Sequence, residues 1–201
     1  MIAIGDSLIN GLTPDLAGVK GQSWARWLAD AAGISYEQYA KGGLTSYQIV
    51  ERLLPKVVGN YDYGVFNMGT NDVLTSWDPI AFRDNAATAA TRMAEACERV
   101  IVLSVPISSE ADSIVRKVAI GVGATVIDGR VQGRRFSRPD GIHPTALGYL
   151  QIADRAAVEL GLPKPSLSAP EPTQLGLGYV VKHFGLSCYF QAKTMARRLP
   201  R

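Results

Sequence analysis

The 201-residue sequence contains four short polar segments whose residue types could support a reaction. Ser7 in the first segment could act as a nucleophile, but a serine hydroxyl is weak and needs a base within hydrogen-bond reach. His143 follows Asp140 by three residues, and one tight turn can bring this carboxylate onto the imidazole nitrogen that faces away from Ser7. The spacing therefore predicts Ser7 as nucleophile, His143 as base and Asp140 as orienting acid. The four segments are Gly-Asp-Ser-Leu at 5–8, Lys-Gly-Gly-Leu-Thr-Ser at 41–46, Gly-Thr-Asn-Asp at 69–72 and Asp-Gly-Ile-His-Pro at 140–144.

The two middle segments supply donors that could stabilise a developing oxyanion. Gly43 can bring its backbone N–H close to a substrate because it has no side chain, and Asn71 offers a side-chain amide. Together with the N–H of Ser7, they predict an oxyanion hole with three donors. The neighbouring Asp6 and Asp72 are predicted to have structural roles, because aspartates in loops commonly accept hydrogen bonds from backbone N–H groups.

Each of these residues also has a simpler structural interpretation. Ser7 could be a turn or N-cap serine, and Asp140 with His143 could form a turn that caps the next helix. Asn71 could be an ordinary turn residue, and Gly43 a glycine at a helix entry. The presence of all four segments in one chain favours the chemical interpretation.

Apolar runs and amphipathic stretches alternate over the first 160 residues and would position these segments. Strands alternating with helices predict a three-layer α/β sandwich, a parallel sheet of about five strands with helices on both faces. Ligands of such sheets bind beyond the carboxyl ends of the strands, and the four polar segments lie there. Strands are predicted at 2–4, 34–40, 63–68, 100–105 and 124–127, and helices at 23–32, 46–58, 79–98, 110–121 and 145–160.

The set of segments resembles the SGNH hydrolases, the GDSL lipase and esterase family, over residues 1–162. The four namesake residues of the family would be Ser7, Gly43, Asn71 and His143, and Asp140 would complete the triad. Gly43 is chosen over the adjacent Gly42 because the family pattern places the glycine two residues before a threonine, here Thr45. Where the family often has asparagine at the start of this motif, the sequence has Tyr39-Ala40.

This resemblance implies a flavodoxin-like fold and hydrolysis of esters or thioesters without a metal or another cofactor. The α/β-hydrolase fold is disfavoured because the sequence has no Gly-x-Ser-x-Gly elbow. We expect a serine esterase that acts through an acyl-enzyme. Since only residues 8–22 and 73–79 offer moderate loops, the preferred substrate is a short acyl group, an acetyl ester on a carbohydrate. The alternatives are a thioesterase or lysophospholipase of the same family, or a structural protein that keeps the fold and is anchored by its C-terminal tail.

Three further residues are candidates for contacting the substrate at the rim of the site. Trp77 follows the third motif, where an aromatic platform for a sugar or acyl chain could lie, although packing in the core or a loop is the preferred interpretation. Arg134 and Arg135 precede Asp140 and could form a basic lip for anionic substrates. A solvated loop is the alternative that the sequence favours there.

Charge divides the chain into a hydrolase domain at 1–162, a proline-rich linker at 163–173 and a basic C-terminal extension at 174–201. Residues 1–162 carry 15 basic and 17 acidic side chains, whereas residues 163–201 carry six basic and one acidic. A mildly acidic body excludes a nucleic-acid-binding core, which needs its basic surplus on the folded domain.

The extension contains a basic amphipathic stretch at 189–199, with Ala192, Met195, Ala196 and Leu199 on one predicted face. Docking of a partner protein or packing on the body is ranked above membrane binding, because this apolar face is short. His183 has no partner motif and is not predicted to be catalytic.

Cysteine content and hydropathy exclude two further classes. Two cysteines do not make a disulfide scaffold, and Cys97 is interpreted as a small buried residue within a helical stretch at 94–98. The sequence has no run of about 18 apolar residues and no signal peptide after Met1. We therefore expect cytoplasmic synthesis without Sec export.

Overall fold

The computed structural model describes residues 1–198, with side chains up to residue 193. Its centre is a sheet of five parallel strands in the order β2-β1-β3-β4-β5. This order is the flavodoxin-like one, with a switch point between β1 and β3, so the predicted α/β class is confirmed. The strands are β1 Ile2–Gly5, β2 Glu37–Ala40, β3 Tyr61–Asn67, β4 Cys97–Leu103 and β5 Thr125–Ile127.

Helices cover both faces of this sheet. Helices α3, α5 and α6 pack on one face, and α1, α2 and α7 on the other. Side chains alternate between the two faces along each strand, and because both faces are covered, the buried residues of β1 and β4 are apolar on both sides, whereas the edge strand β2 carries Glu37 and Gln38. In β4, for example, Val102 joins the first core and Ile101 the second. The helices are α1 Ser7–Asn10, α2 Trp24–Ala32, α3 Ser46–Arg52, α4 Thr70–Thr75, α5 Pro79–Ala96, α6 Ser109–Gly121, α7 Ala146–Leu160 and α8 Leu177–Arg198.

The interpretation of Cys97 as a helical residue is wrong, although its predicted burial is confirmed. Helix α5 ends at Ala96, and Cys97 opens β4 with extended dihedral angles and pairs with Tyr61. No loop separates the helix from the strand, so no glycine or proline marks the boundary in the sequence. The helix predicted at 46–58 is shorter in the structure, since α3 ends at Arg52 and a short 3₁₀ turn that contains Pro55, Leu54–Lys56, follows.

After α7 the chain runs along the body before the last helix begins. Pro165 is buried in a 3₁₀ turn, Pro165–Leu167, and the N–H of Thr173 donates to the Ala17 carbonyl at 3.0 Å. Helix α8 begins at Leu177, well before the predicted start at 189. Of its predicted apolar face, Leu199 lies outside the described residues, as do the side chains of Met195 and Ala196. No helix in the described part of the chain is long and apolar enough to cross a membrane.

Candidate active site

Ser7 is held where β1 turns into α1. Asp6 caps the helix, and one of its carboxylate oxygens accepts the Leu8 N–H at 2.9 Å. Gly5 allows the turn to approach β3, because a Cβ at this position would lie only 2.7 Å from the Asn67 carbonyl oxygen. These local constraints leave Ser7 as the first helical residue, partly exposed at the carboxyl edge of the sheet.

Asp6 organises the floor beneath Ser7. It is fully buried, and its carboxylate accepts the amides of Asn67 at 2.7 Å and Asn71 at 3.3 Å. Burial raises the pKa of Asp6, while the bonds from the Leu8 N–H and the Asn67 amide act in the opposite direction. The expected bonding of Asp6 to loop N–H groups is therefore observed.

His143 reaches Ser7 from the loop between β5 and α7. Its Nε2 lies 2.9 Å from the Ser7 hydroxyl oxygen, and its Nδ1 lies 3.1 Å from Asp140 Oδ2. Since an ionised carboxylate can only accept, Nδ1 donates to Asp140, and Nε2 is left to accept the Ser7 hydroxyl hydrogen. The structure thus brings the three predicted residues into one hydrogen-bonded chain.

Asp140 is fixed by the backbone of its own turn. Its Oδ1 accepts the N–H groups of Ile142 and His143, each at 2.9 Å. Burial by itself raises the pKa of Asp140, but the bonds from the His143 side chain and from these two N–H groups outweigh it and lower the pKa to about 2. The carboxylate is consequently ionised at all ordinary working pH values, as an orienting acid must be.

Two residues beside Ser7, His143 and Asp140 make contacts that the sequence does not predict, although Arg138 belongs with Arg134 and Arg135 to the possible basic lip. The Arg138 guanidinium lies 3.8 Å from Asp140 Oδ2, and Arg138 also donates its backbone N–H to the His143 carbonyl at 2.8 Å. The Tyr149 hydroxyl donates to the Ser7 carbonyl at 3.3 Å. Only the helical spacing of α7 points to Tyr149, and that spacing predicts a core residue rather than one that contacts Ser7.

The Gly42-Gly43 turn lies beside Ser7 and is linked by a hydrogen bond to Asn71. A Cβ at Gly42 would lie 3.7 Å from the Ser7 Cβ, and Gly43 has a φ of +85° with open space where its Cβ would be. The Asn71 amide donates to the Leu44 carbonyl at 2.9 Å, in addition to Asp6. Asn71 therefore connects the glycine turn to the floor of the site.

A buried contact joins the second and third motifs. Asp72 accepts the Ser46 N–H, with its two oxygens at 3.1 and 3.0 Å, and the Ser46 hydroxyl at 2.6 Å. Ser46 begins α3 and Asp72 lies in the first turn of α4. This contact confirms the predicted structural role of Asp72 and fixes the glycine turn relative to Asn71.

The three rim candidates contact residues other than Ser7, His143 and Asp140, although the cavity that Arg134 lines is also lined by Asp140. Trp77 packs on Phe82 with ring centres 5.2 Å apart, and its indole N–H donates to Glu110. Arg134 is exposed and lines a cavity of about 420 Å³ between its loop and α8, and the Arg135 carbonyl accepts the Thr145 hydroxyl at 2.7 Å. Their role in substrate binding stays a prediction.

Metal ligands are not clustered in this part of the molecule. Among the residues that the structure describes, no group of three or more histidine, cysteine, aspartate or glutamate side chains could hold a metal ion. The groups at the site that can donate hydrogen bonds are hydroxyl, imidazole, amide and backbone N–H groups.

The chain belongs to the GDSL-like lipase/acylhydrolase family, whose model matches residues 3–150. This match confirms the resemblance drawn from the four motifs. None of the curated proteins compared with the chain matches it.

Several solved structures share the fold. An acetylxylan esterase, Axe2, from Geobacillus stearothermophilus is 12% identical with a TM-score of 0.62, over 80% of this chain and 93% of its own. The psychrotrophic esterase EstA from a Pseudoalteromonas species is 16% identical with a TM-score of 0.62, over 80% and 95%. TesA is 22% identical with a TM-score of 0.60, over 79% and 96%. At these identities the likeness supports the fold and not a substrate.

Proposed function

We propose that the protein is a serine esterase in which Ser7 is the nucleophile. The observation that carries this proposal is the continuous chain from the Ser7 hydroxyl through His143 to the Asp140 carboxylate, at 2.9 and 3.1 Å. His143 Nε2 takes the hydroxyl proton as the Ser7 oxygen bonds to the carbonyl carbon of the ester. Asp140 fixes the tautomer of His143 and stabilises the imidazolium that forms.

The tetrahedral intermediate needs donors for its oxyanion. We assign this role to the N–H groups of Ser7 and Gly43 and to the amide of Asn71, which would exchange its long 3.3 Å bond to Asp6 for one to the oxyanion. The ester C–O bond breaks as His143 returns its proton to the leaving alcohol, which leaves an acyl-Ser7. Water then gives a proton to His143 and attacks this acyl group, and the acid departs as Ser7 recovers its proton.

The substrate that the site supports best is a short acyl ester, such as an acetyl group on a carbohydrate. Ser7 is only partly buried, and the glycine turn beside it faces open space. An acetyl group needs no deep acyl tunnel, and a surface site can receive an ester that is attached to a large sugar polymer. The acetylxylan esterase among the solved structures of the same fold is consistent with this choice.

Labelling with a fluorophosphonate probe tests the nucleophile. The folded wild-type chain should be labelled at Ser7, whereas Ser7→Ala should be unlabelled and should lose ester turnover. Ser166→Ala, a change on the distant proline-rich segment, is the control and should be labelled like the wild type. Absence of labelling in a wild-type protein with a cooperative thermal melt would overturn the proposal and favour a structural protein of the same fold.

A chain-length series tests the acyl group. With nitrophenyl esters from acetate to palmitate, kcat/KM should be highest for acetate and should fall as the chain lengthens. A maximum at long chains, or faster turnover of acyl thioesters than of matched oxygen esters, would instead support the lysophospholipase or thioesterase alternative.

A further inference from the structure

Helix α8 contacts the body through polar side chains as well as through half-buried apolar ones such as Val180 and Phe190. The Tyr179 hydroxyl donates to the Arg134 carbonyl at 3.0 Å, and His183 Nε2 donates to the Ser137 carbonyl at 2.9 Å. The Ser187 hydroxyl lies 3.3 Å from the other ring nitrogen of His183. Surface helices of soluble domains usually bury their apolar side in the core, whereas none of the described side chains of α8 belongs to one of the three hydrophobic cores.

The apolar side of α8 faces outward. Leu177, Val181, Phe184 and Cys188 follow one another at helical spacing on one side, and we call them the outer stripe. Leu177 is 78% exposed, Val181 64% and Phe184 71%, and the Cys188 side chain is also exposed and free. At 1.5 Å per residue, the outer stripe is about 17 Å long. A continuous exposed apolar surface of this kind marks an interaction site, unlike single exposed apolar residues.

The charge around the outer stripe has one sign. Within residues 177–193 the charged side chains are Lys182 and Lys193, and the Lys193 amino group lies 5.9 Å from the centre of the Tyr189 ring. The sequence has no acidic residue after Glu171, and it continues with Arg197, Arg198 and Arg201. A second copy of this helix would be repelled by like charges, whereas an anionic surface would attract it.

We infer that the outer stripe of α8 binds the surface of an anionic lipid bilayer. An apolar side that carries leucine and phenylalanine, on a helix whose charged residues are all basic, is the pattern of a helix lying in the plane of the interface. On the bilayer, the long lysine side chains would let their amino groups reach the headgroups while the outer stripe is buried. The sequence ranks membrane binding low because the stretch at 189–199 offers a short apolar face. The observed start of α8 at Leu177 removes that reason.

Binding in this orientation would leave the body on the water side of the interface. The polar contacts of α8 connect it to residues 134–137, and the same loop continues into Asp140 and His143. The active site would therefore lie one loop away from the lipid surface. The inference itself does not rest on the proposed esterase function.

Co-sedimentation with vesicles tests the inference on the full-length protein. The wild type should bind vesicles of phosphatidylcholine mixed with phosphatidylglycerol about tenfold or more tightly than vesicles of phosphatidylcholine alone, and high salt should reduce the difference. The double variant Val181→Gln and Phe184→Gln should lose about tenfold or more of this binding. The matched control, Ile120→Gln with Val158→Gln, changes exposed apolar residues on the body and should bind like the wild type.

Further variants distinguish binding of an anionic bilayer from binding of a neutral one and from dimer formation through the outer stripe. Lys182→Glu with Lys193→Glu should weaken binding to anionic vesicles and leave binding to neutral ones unchanged. Ser7→Ala should bind like the wild type, so that failure of the esterase proposal is distinguishable from failure of this one. Equal binding to both vesicle types, no binding of the wild type, or a dimer that the Val181 and Phe184 changes dissociate would each overturn the inference.

Discussion

At the residue scale, the charge of Asp140 is linked to the stability of the fold. Its pKa is about 2, below the ordinary value of 3.8, so the stabilisation is fully present above about pH 4 and is lost as the pH falls through about 2. Asp140→Asn should therefore lower the free energy of unfolding by about 2 kcal/mol at pH 7. Urea unfolding at pH 7 and at pH 2 measures this, and the difference between variant and wild type should shrink at the lower pH.

A surface carboxylate supplies the control for this measurement. Glu159→Gln changes an exposed residue of α7 and should leave the urea midpoint unchanged at both pH values. If Asp140→Asn were as stable as the wild type at pH 7, the negative charge of Asp140 would not stabilise the folded state as argued.

The Asn71 amide is predicted to act on kcat rather than on substrate binding. An oxyanion donor gains its full interaction only in the transition state, so Asn71→Ala should lower kcat by roughly 10²–10³ with little change in KM. Steady-state kinetics on nitrophenyl acetate measure both constants. Asn60→Ala, at an exposed position before β3, is the control. A wild-type kcat in Asn71→Ala would refute the donor role.

The sequence identifies those residues of the site whose positions follow from the succession of strands and polar segments along the chain. Ser7 and the Asp140–His143 pair can be recognised because each follows a strand, and parallel strands bring their carboxyl ends to one edge. Arg138 cannot be recognised in this way. Its position beside Asp140 depends on the path of the loop, which the hydrogen bond from its own N–H to the His143 carbonyl fixes.

At the element scale, the contact between β1 and β3 requires glycine at position 5. A Cβ on Gly5 would lie 2.7 Å from the Asn67 carbonyl and 2.9 Å from an Ile9 side-chain carbon. Gly5→Ala should therefore lower the free energy of unfolding by about 1–3 kcal/mol through forced backbone shifts. Thermal and urea unfolding followed by circular dichroism measure this loss.

Gly121 provides the matched control for Gly5. It is the last residue of α6, and a Cβ there would meet open space. Gly121→Ala should leave the stability unchanged or raise it by up to about 1 kcal/mol, because alanine favours a helix and restricts the unfolded chain. Equal effects of the two changes would show that the close approach of Gly5 to Asn67 does not determine the loss of stability.

Element type was more predictable than element boundaries. Periodicity locates all five strands, but the direct passage from α5 to β4 at Cys97 has no sequence marker, because the preceding alanines favour a helix up to the point where strand pairing begins. The length of α8 was missed for a related reason. Gly178 and Gly185 weaken the helical pattern in the sequence, and the contacts of Tyr179 and His183 with the body favour the helix in the structure.

At the scale of the whole molecule, the proline-rich segment contacts the body along its length. Pro165 is buried, the Ser166 N–H donates to Asp154 on α7 at 2.9 Å, and Ala169 packs on the small core around Leu147. The composition predicts a semi-rigid linker because prolines restrict the chain, but composition carries no information about which surface a segment lies on. The division of the chain at residue 162 stays a prediction.

Two truncations test that division. A chain that ends at Gln174 loses the hydrogen bonds of Tyr179 and His183 but keeps the contacts of Pro165 and the hydrogen bond from Thr173 to Ala17. Because the lost bonds are exposed or half-buried, they contribute little, and the Tm should stay close to that of the full chain. A chain that ends at Leu162 loses these contacts, so it should be less stable by about 1–3 kcal/mol, which lowers Tm by about 2–4 °C for each kcal/mol in a chain of this size. Thermal melts of the two chains measure the difference. Equal Tm values would place the boundary of the stable unit at residue 162, whereas a loss confined to the shorter chain would extend that unit through the proline-rich segment.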